Sequence, residues 1–260
     1  MSSTPIKASE TEPNSDTAND SGAKKNTTND REILERLSYG VSHDLGASLR
    51  SMLRFSELLK QRASDRLEER EIYWLSLMID SGKRAQIMLD AMLEYSRLST
   101  RMPATAIDLN VLIDNVWRDC CAQYQNQFPD TKQPELKIVN TLPNFTGVAE
   151  HWHRFFSNIL LNAILFQRKA EDDGCQITIS SSSIGNNSSI SIEDNGIGVS
   201  EEQRPNLGRH FWRGHAEQDY PGVGMGLALC ERIGQLHGGK ISYENGIASG
   251  LKVVYTYGTD

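Results

Sequence analysis

The stretch "VSHDLGASLR", Val41 to Arg50, sets an imidazole beside a carboxylate. His43 next to Asp44 suits nucleophilic chemistry, because a carboxylate can hold one ring nitrogen protonated and leave the other free to attack. The alternative for a single helical histidine is an ordinary surface residue. Farther along, Asn158 and Asn162 stand four residues apart in "SNILLNAILF", on one edge of a helix. They are either surface polars or two side-chain oxygens offered to a hard cation and its phosphates. "IEDNGIGV" puts Asp194 at a strand end with Gly196 and Gly198 behind it. A carboxylate there can accept from an exocyclic amine, although Asp-Asn-Gly is also a common turn. "GVGMGLAL" sets Gly222, Gly224 and Gly226 before a helix, where free N–H groups suit phosphate oxygens. No strand precedes that loop and no Gly-Lys-Ser/Thr follows it, so neither a dinucleotide fold nor a P-loop is expected.

These residues need elements to hold them. Residues 1–30 are rich in Ser, Thr, Asn and Asp and poor in large apolar side chains, so a disordered tail is expected. From Glu32 the pattern is helical: Ile33, Leu37, Val41, Leu45 and Leu49 recur every four residues, and Met52, Phe55 and Leu59 continue the stripe. On that stripe His43 lies about 200° from Val41 and points away from the core. A second helix, from about Leu67 to Leu98, spaces Leu75, Met78, Gly82, Ala85, Leu89, Met92 and Ser96 by threes and fours. Such spacing is the seam of a helical hairpin, assigned to 31–100. Two helices alone bury too little, so a four-helix bundle in a homodimer is expected.

"RMPATAID", 101–108, reads as a linker, and 109–260 as one mixed domain. Asp108 should cap a helix carrying Leu109, Leu112, Val116 and Cys120. "ELKIVN" is a strand, "EHWHRFFSNILLNAILF" an amphipathic helix, and "CQITISSSS" with "SSISIED" a hairpin around Gly185-Asn186-Asn187. A helix from about Met225 to His237 ends at Gly238-Gly239, and "KISYEN" and "LKVVYTY" supply two last strands. Without strict βαβ alternation, this predicts an α+β sandwich with helices over one sheet face.

Composition narrows the class. The chain has 260 residues, 38% apolar and 23% charged, with a net charge of −7. That balance argues against nucleic-acid and anionic-membrane partners. Cys120, Cys121, Cys175 and Cys230 form no C-x-x-C pair, which points to reduced thiols. No apolar run nears the ~18 residues of a membrane span, and no signal-peptide core is present. A cytoplasmic, unanchored protein is expected. His151 and His153, two apart on a helix, do not converge on one ion and read as surface polars. Phe211 and Trp212 mark either a partner surface or aromatics that pin a loop.

The order of these motifs resembles that of sensor histidine kinases of two-component signalling, over roughly residues 31–258. "SHDLGASLR" is similar to the family's H-box, "SNILLNAILF" to its N-box, "IEDNGIGV" to its G1 box, and "GVGMGLALCERIGQLHGGKI" to its G2 box. "HFWRG" sits where the family has its F-box, and the H-box is closest to soluble phytochrome-like kinases. The resemblance implies a dimerisation and phosphotransfer hairpin joined to a Bergerat (GHKL) ATP-binding domain, with ATP and Mg²⁺ as cofactors. It implies His43 as phosphoacceptor and Asp44 as its activating base. Asn162, with Asn158, would bind Mg²⁺ and phosphates, and Asp194 would read the adenine amine. Gly196 and Gly198 would let the lid approach the nucleotide. Gly222, Gly224 and Gly226 would cradle phosphate, with Arg213 neutralising γ-phosphate charge. The phosphoryl group would then pass to an Asp of a response regulator receiver domain.

The chain departs from this pattern at four places. Gly46 stands where the family has a basic residue, Ser48 where it has Pro, Ala47 where phosphatase-competent members have Thr or Asn, and Leu165 where the N-box carries Lys. Gly40 and Gly46 are expected to bend the helix in place of the Pro, and Arg168 or Lys169 to stand in for the lost Lys. The alternative is a non-catalytic phosphotransfer or scaffold protein with a degenerate kinase fold. An ATPase of the same superfamily without histidine chemistry is a third. Only the tail precedes the hairpin, which predicts input from an upstream sensor or regulatory protein.

Overall fold

The computed structural model of the chain describes residue 40 and residues 44–98, 102–129, 131–168, 174–215 and 222–258. The expected tail and His43 lie outside the described residues. Residues 44–63 form helix α1, a 3-10 turn covers Ser64–Arg66, and α2 spans Glu69–Arg97. The polar "RASDR" break is where α1 ends. A reciprocal capping box opens α2: the Glu68 carboxylate accepts from the Glu71 N–H, and the Glu68 N–H donates to the Glu71 carboxylate at 2.9 Å.

The inward stripe differs from the expected one. Gly46, Leu49, Leu53, Ser56, Lys60 and Ala63 face α2, at steps of three and four. Leu45, Met52, Phe55 and Leu59 are instead exposed, Phe55 to 69%. On α2, Leu75 and Ile79 are buried, whereas Met78 and Met92 of the expected seam are exposed. Each helix thus carries two apolar stripes, one met by the other helix and one facing outward. Periodicity in the sequence merges them, so the stripe of Leu45, Met52, Phe55 and Leu59 is not the intrachain seam. Close approach depends on Gly82, where a Cβ would stand 2.6 Å from Leu53 Cδ2. Farther along the seam Lys60 snorkels, its ammonium donating to Ser76 Oγ at 2.8 Å.

The expected linker is partly a strand. Thr105–Asp108 is β1, antiparallel to β3, Asn144–Gly147. Ile107 drives this by burying its side chain against the domain. Asp108 caps α3, Leu109–Gln127, its carboxylate accepting from the Asn110 and Val111 N–H groups at 2.9 and 3.4 Å.

A five-stranded sheet follows, in the order β2-β4-β5-β7-β6. Its strands are β2 Glu135–Ile138, β4 Gln176–Ile184, β5 Asn187–Asp194, β6 Gly239–Asn245 and β7 Leu251–Gly258. Only β2 and β4 pair in parallel. Alternation sends Ile177, Ile179, Ile190 and Ile192 to one face, with Ile179 opposite Ile192. On that face lie α3, α4 (Ala149–Leu165) and α5 (Gly226–Leu236), contributing Ile113, Phe155, Phe156, Leu160, Cys230 and Ile233. A helical hairpin followed by this α+β sandwich is the expected fold class.

His151 is not a surface polar. It is 6% exposed, and its Nδ1 lies 3.2 Å from His237 Nε2 where the start of α4 meets the end of α5. Burial, and then the neighbouring His151, lower the His237 pKa to about 4. His153 does face outward, 3.6 Å from the Asp119 carboxylate. Among the described residues no group of three or more His, Cys, Asp or Glu could hold a metal. No described helix is long and apolar enough to cross a membrane.

Candidate functional site

Asp194 is the last residue of β5, and its position follows from the inward register of that strand. It is partly buried. Its Oδ1 accepts from the Gly196 N–H at 2.9 Å and the Leu251 N–H at 3.1 Å. Burial raises its pKa above the usual carboxylate value, although the two backbone bonds pull the other way. Both bonds use one oxygen, and the carboxylate lines a cleft of about 500 Å³.

The cleft gathers residues far apart in sequence. Asn158 and Asn162 enter from one edge of α4, as the four-residue spacing required. Gly222, Gly224 and Gly226 line it from the loop into α5, and Gly198 and Arg213 from the segment between β5 and α5. Asn158 Oδ1 is 3.1 Å from where a Cβ on Gly226 would stand, so the α4 amide and the start of α5 adjoin. No described side chain caps α5, and its first N–H groups are open to an anion. The donor set fits a triphosphate carrying a hard cation: amide oxygens on one wall, a glycine loop and a bare helix start on the other.

Other expected residues take different work. Gly196 does not line the cleft; a Cβ there would meet the Phe166 carbonyl at 2.6 Å, so it serves packing beside Asp194. Gly224, at φ +74°, is the glycine that meets the lid, since a Cβ would stand 2.5 Å from the Trp212 carbonyl. Arg213 donates from its guanidinium to the Gly222 carbonyl, tying one side of the lid to the other. Arg168 hydrogen-bonds the carbonyls of Gly196 and Ala248. It is a staple between loops, and Lys169 lies outside the described residues. Trp212 lines the cleft while Phe211 is exposed. Asp44 is exposed at the start of the described part of α1.

Sequence reasoning missed three contributors. The Leu251 N–H fixes Asp194 from the far end of the chain, and a backbone donor leaves no trace in residue type. The hairpin also reaches the cleft: Ile87, Ala91 and Glu94 of α2 line it. Glu94 pairs with Arg154 of α4 at 3.1 Å, Tyr95 meets His210 edge-on at 4.8 Å, and Leu98 joins the sandwich core. Glu94 lies in an ordinary helical run, so no motif could have flagged it. His215 is a third lining residue, its ring 5.7 Å from that of Phe166.

Comparison with known proteins agrees with this geometry. Residues 147–258 match the family described as histidine kinase-, DNA gyrase B-, and HSP90-like ATPase. Cyanobacterial phytochrome A of Nostoc sp. is 26% identical over 86% of this chain and 28% of its own length. Histidine protein kinase DivJ of Caulobacter vibrioides is 26% identical over 84% of this chain and 36% of its own. The chain spans between about a quarter and two fifths of the length of such curated relatives. In fold it resembles full-length ShkA, solved with AMPPNP, at a TM-score of 0.60 and 18% identity over 86% of this chain and 46% of that one. Residues 147–258 therefore form a domain of the histidine kinase-, DNA gyrase B-, and HSP90-like ATPase family, and the chain as a whole is similar to sensor histidine kinases.

Proposed function

We propose that the protein is an ATP-dependent histidine kinase that autophosphorylates on His43 and passes the phosphoryl group to an Asp of a response regulator receiver domain. The observation that carries this reading is one cleft shared by Asp194, the two α4 amides and the glycine loop, and walled on one side by Ile87, Ala91 and Glu94 of α2. Asp194 accepts from the adenine amine. The start of α5 and Gly222, Gly224 and Gly226 hold the phosphates. Asn162, with Asn158, offers amide oxygens to Mg²⁺, which when bound offsets phosphate charge. Asp44 orients and deprotonates the His43 imidazole, whose free nitrogen attacks the γ-phosphorus in line as the bond to ADP breaks. Positioning and electrostatics supply most of the rate.

Incubation with γ-labelled ATP and Mg²⁺ tests this. Acid-labile, alkali-stable label should appear in the wild-type chain, and His43→Gln or Asn162→Asp should lower it to background. Nucleotide binding without any label would favour the non-catalytic scaffold.

The outward stripe of the hairpin supports a homodimer. Phe55, Met52, Leu59, Trp74 and Met78 are large apolar side chains left exposed in one chain, and covering each is worth roughly 1.5–3 kcal/mol. Phe55→Glu should therefore turn a dimer into a monomer in sedimentation, with ATP binding unchanged. A variant that stays dimeric would place the interface elsewhere. An upstream sensor or regulatory protein remains part of the proposal.

A further inference from the structure

We infer that Arg209, a lid residue outside every family motif, supplies the positive charge that meets the polyphosphate, in place of the charge absent at Leu165. The inference rests on the kinase reading above. The cations near the cleft are few and mostly engaged. Arg213 is drawn to the Gly222 carbonyl, and Arg168 to the carbonyls of Gly196 and Ala248. Arg154 is paired with Glu94. Leu165 lines the cleft without charge. Arg209 lines it too and is exposed, and its side chain makes no hydrogen bond or ion pair with any described residue.

Its neighbours fix which side of the cleft it serves. Gly208 abuts the Glu231 carboxylate of α5, and His210 meets Tyr95 of α2. Arg209 is thereby held where the lid runs between α5 and the hairpin. The start of α5 adjoins the Asn158 amide of α4, and on the proposed reading the acceptor histidine belongs to the hairpin. A triphosphate seated with its adenine at Asp194 points its terminal phosphate toward this side. Without Arg209 that phosphate would meet the Glu94 carboxylate with no unengaged cation lining the described cleft. A guanidinium gives a forked donor to phosphate oxygens.

Equilibrium binding of ATP and of adenosine to the full chain tests this, in wild type, Arg209→Gln and Arg209→Lys. Losing one charge-assisted contact should weaken ATP about tenfold in Arg209→Gln. Adenosine affinity should not change, and Arg209→Lys should recover most of the loss. Unchanged ATP affinity overturns the inference. So does a parallel loss for adenosine, which would mean that Arg209 only shapes the lid. A wild-type chain that binds adenosine and ATP equally also overturns it, and one that binds neither removes the kinase reading as well.

Discussion

Asp194→Asn should weaken ATP binding more than a hundredfold and leave thermal unfolding close to wild type. The two effects separate because the carboxylate does two jobs with different oxygens. Oδ1 accepts from the N–H groups of Gly196 and Leu251, and an Asn carbonyl can take over both bonds. The remaining group then becomes NH₂, a donor aimed at a donor when an exocyclic amine arrives. Losing a charge-assisted bond costs about 1.5–3 kcal/mol, and leaving two donors opposed in a closed site adds to it. Asp194→Ala removes the acceptor as well, strands two N–H groups and should destabilise the domain by about 2–4 kcal/mol. Titration with ATP beside thermal unfolding reads both. An Asn variant that binds ATP like wild type would leave Asp194 a purely structural residue.

The same burial gives a pH signature. Asp194 has its pKa raised above 3.8 by burial. As pH falls through that raised value the acceptor becomes a neutral carboxyl. ATP affinity should therefore fail at a higher pH than an exposed carboxylate would allow, and should hold at neutral pH where the group is ionised.

Local chemistry was the legible part of this chain. The Asp108 cap, the Gly185-Asn186 turn and the four-residue spacing of Asn158 and Asn162 each depend on residues close in sequence, and each is found in the fold. The isoleucines of β4 and β5 declared their inward face by simple alternation. What stayed hidden arises between segments. β1 and β3 are four-residue strands that exist because they pair with each other, and neither carries enough alternation to announce itself. The hairpin's register is hidden because both of its apolar stripes are real, and a sequence does not say which meets its own chain. His151 looked like a surface residue because its partner, His237, is 86 positions away. In the site, Gly196 abuts the Phe166 carbonyl, and residue type alone does not say whether a glycine admits a ligand or another stretch of its own chain.

Gly198 makes that distinction measurable. It adopts φ +64°, and a Cβ there would overlap the Ser249 carbonyl. Gly185, in the β4–β5 turn, has nearly the same backbone at φ +60° with nothing within 4 Å of a Cβ. The pair separates the two costs of adding a methyl group. Gly185→Ala bears only the left-handed conformation, about 1–2 kcal/mol. Gly198→Ala bears that and a collision with backbone, which has no rotamer to escape into, so its total should exceed about 3 kcal/mol. The displaced segment leads directly into Leu251, whose N–H holds Asp194. Gly198→Ala should therefore lose ATP affinity together with stability, whereas Gly185→Ala should bind ATP as wild type does. Denaturant unfolding and ATP titration of both variants decide it. Equal stability losses would mean that the loop after β5 and the segment before β7 yield to each other. The close approach would then be a consequence of glycine at 198, and the geometry of Asp194 would have to be held by β5 alone.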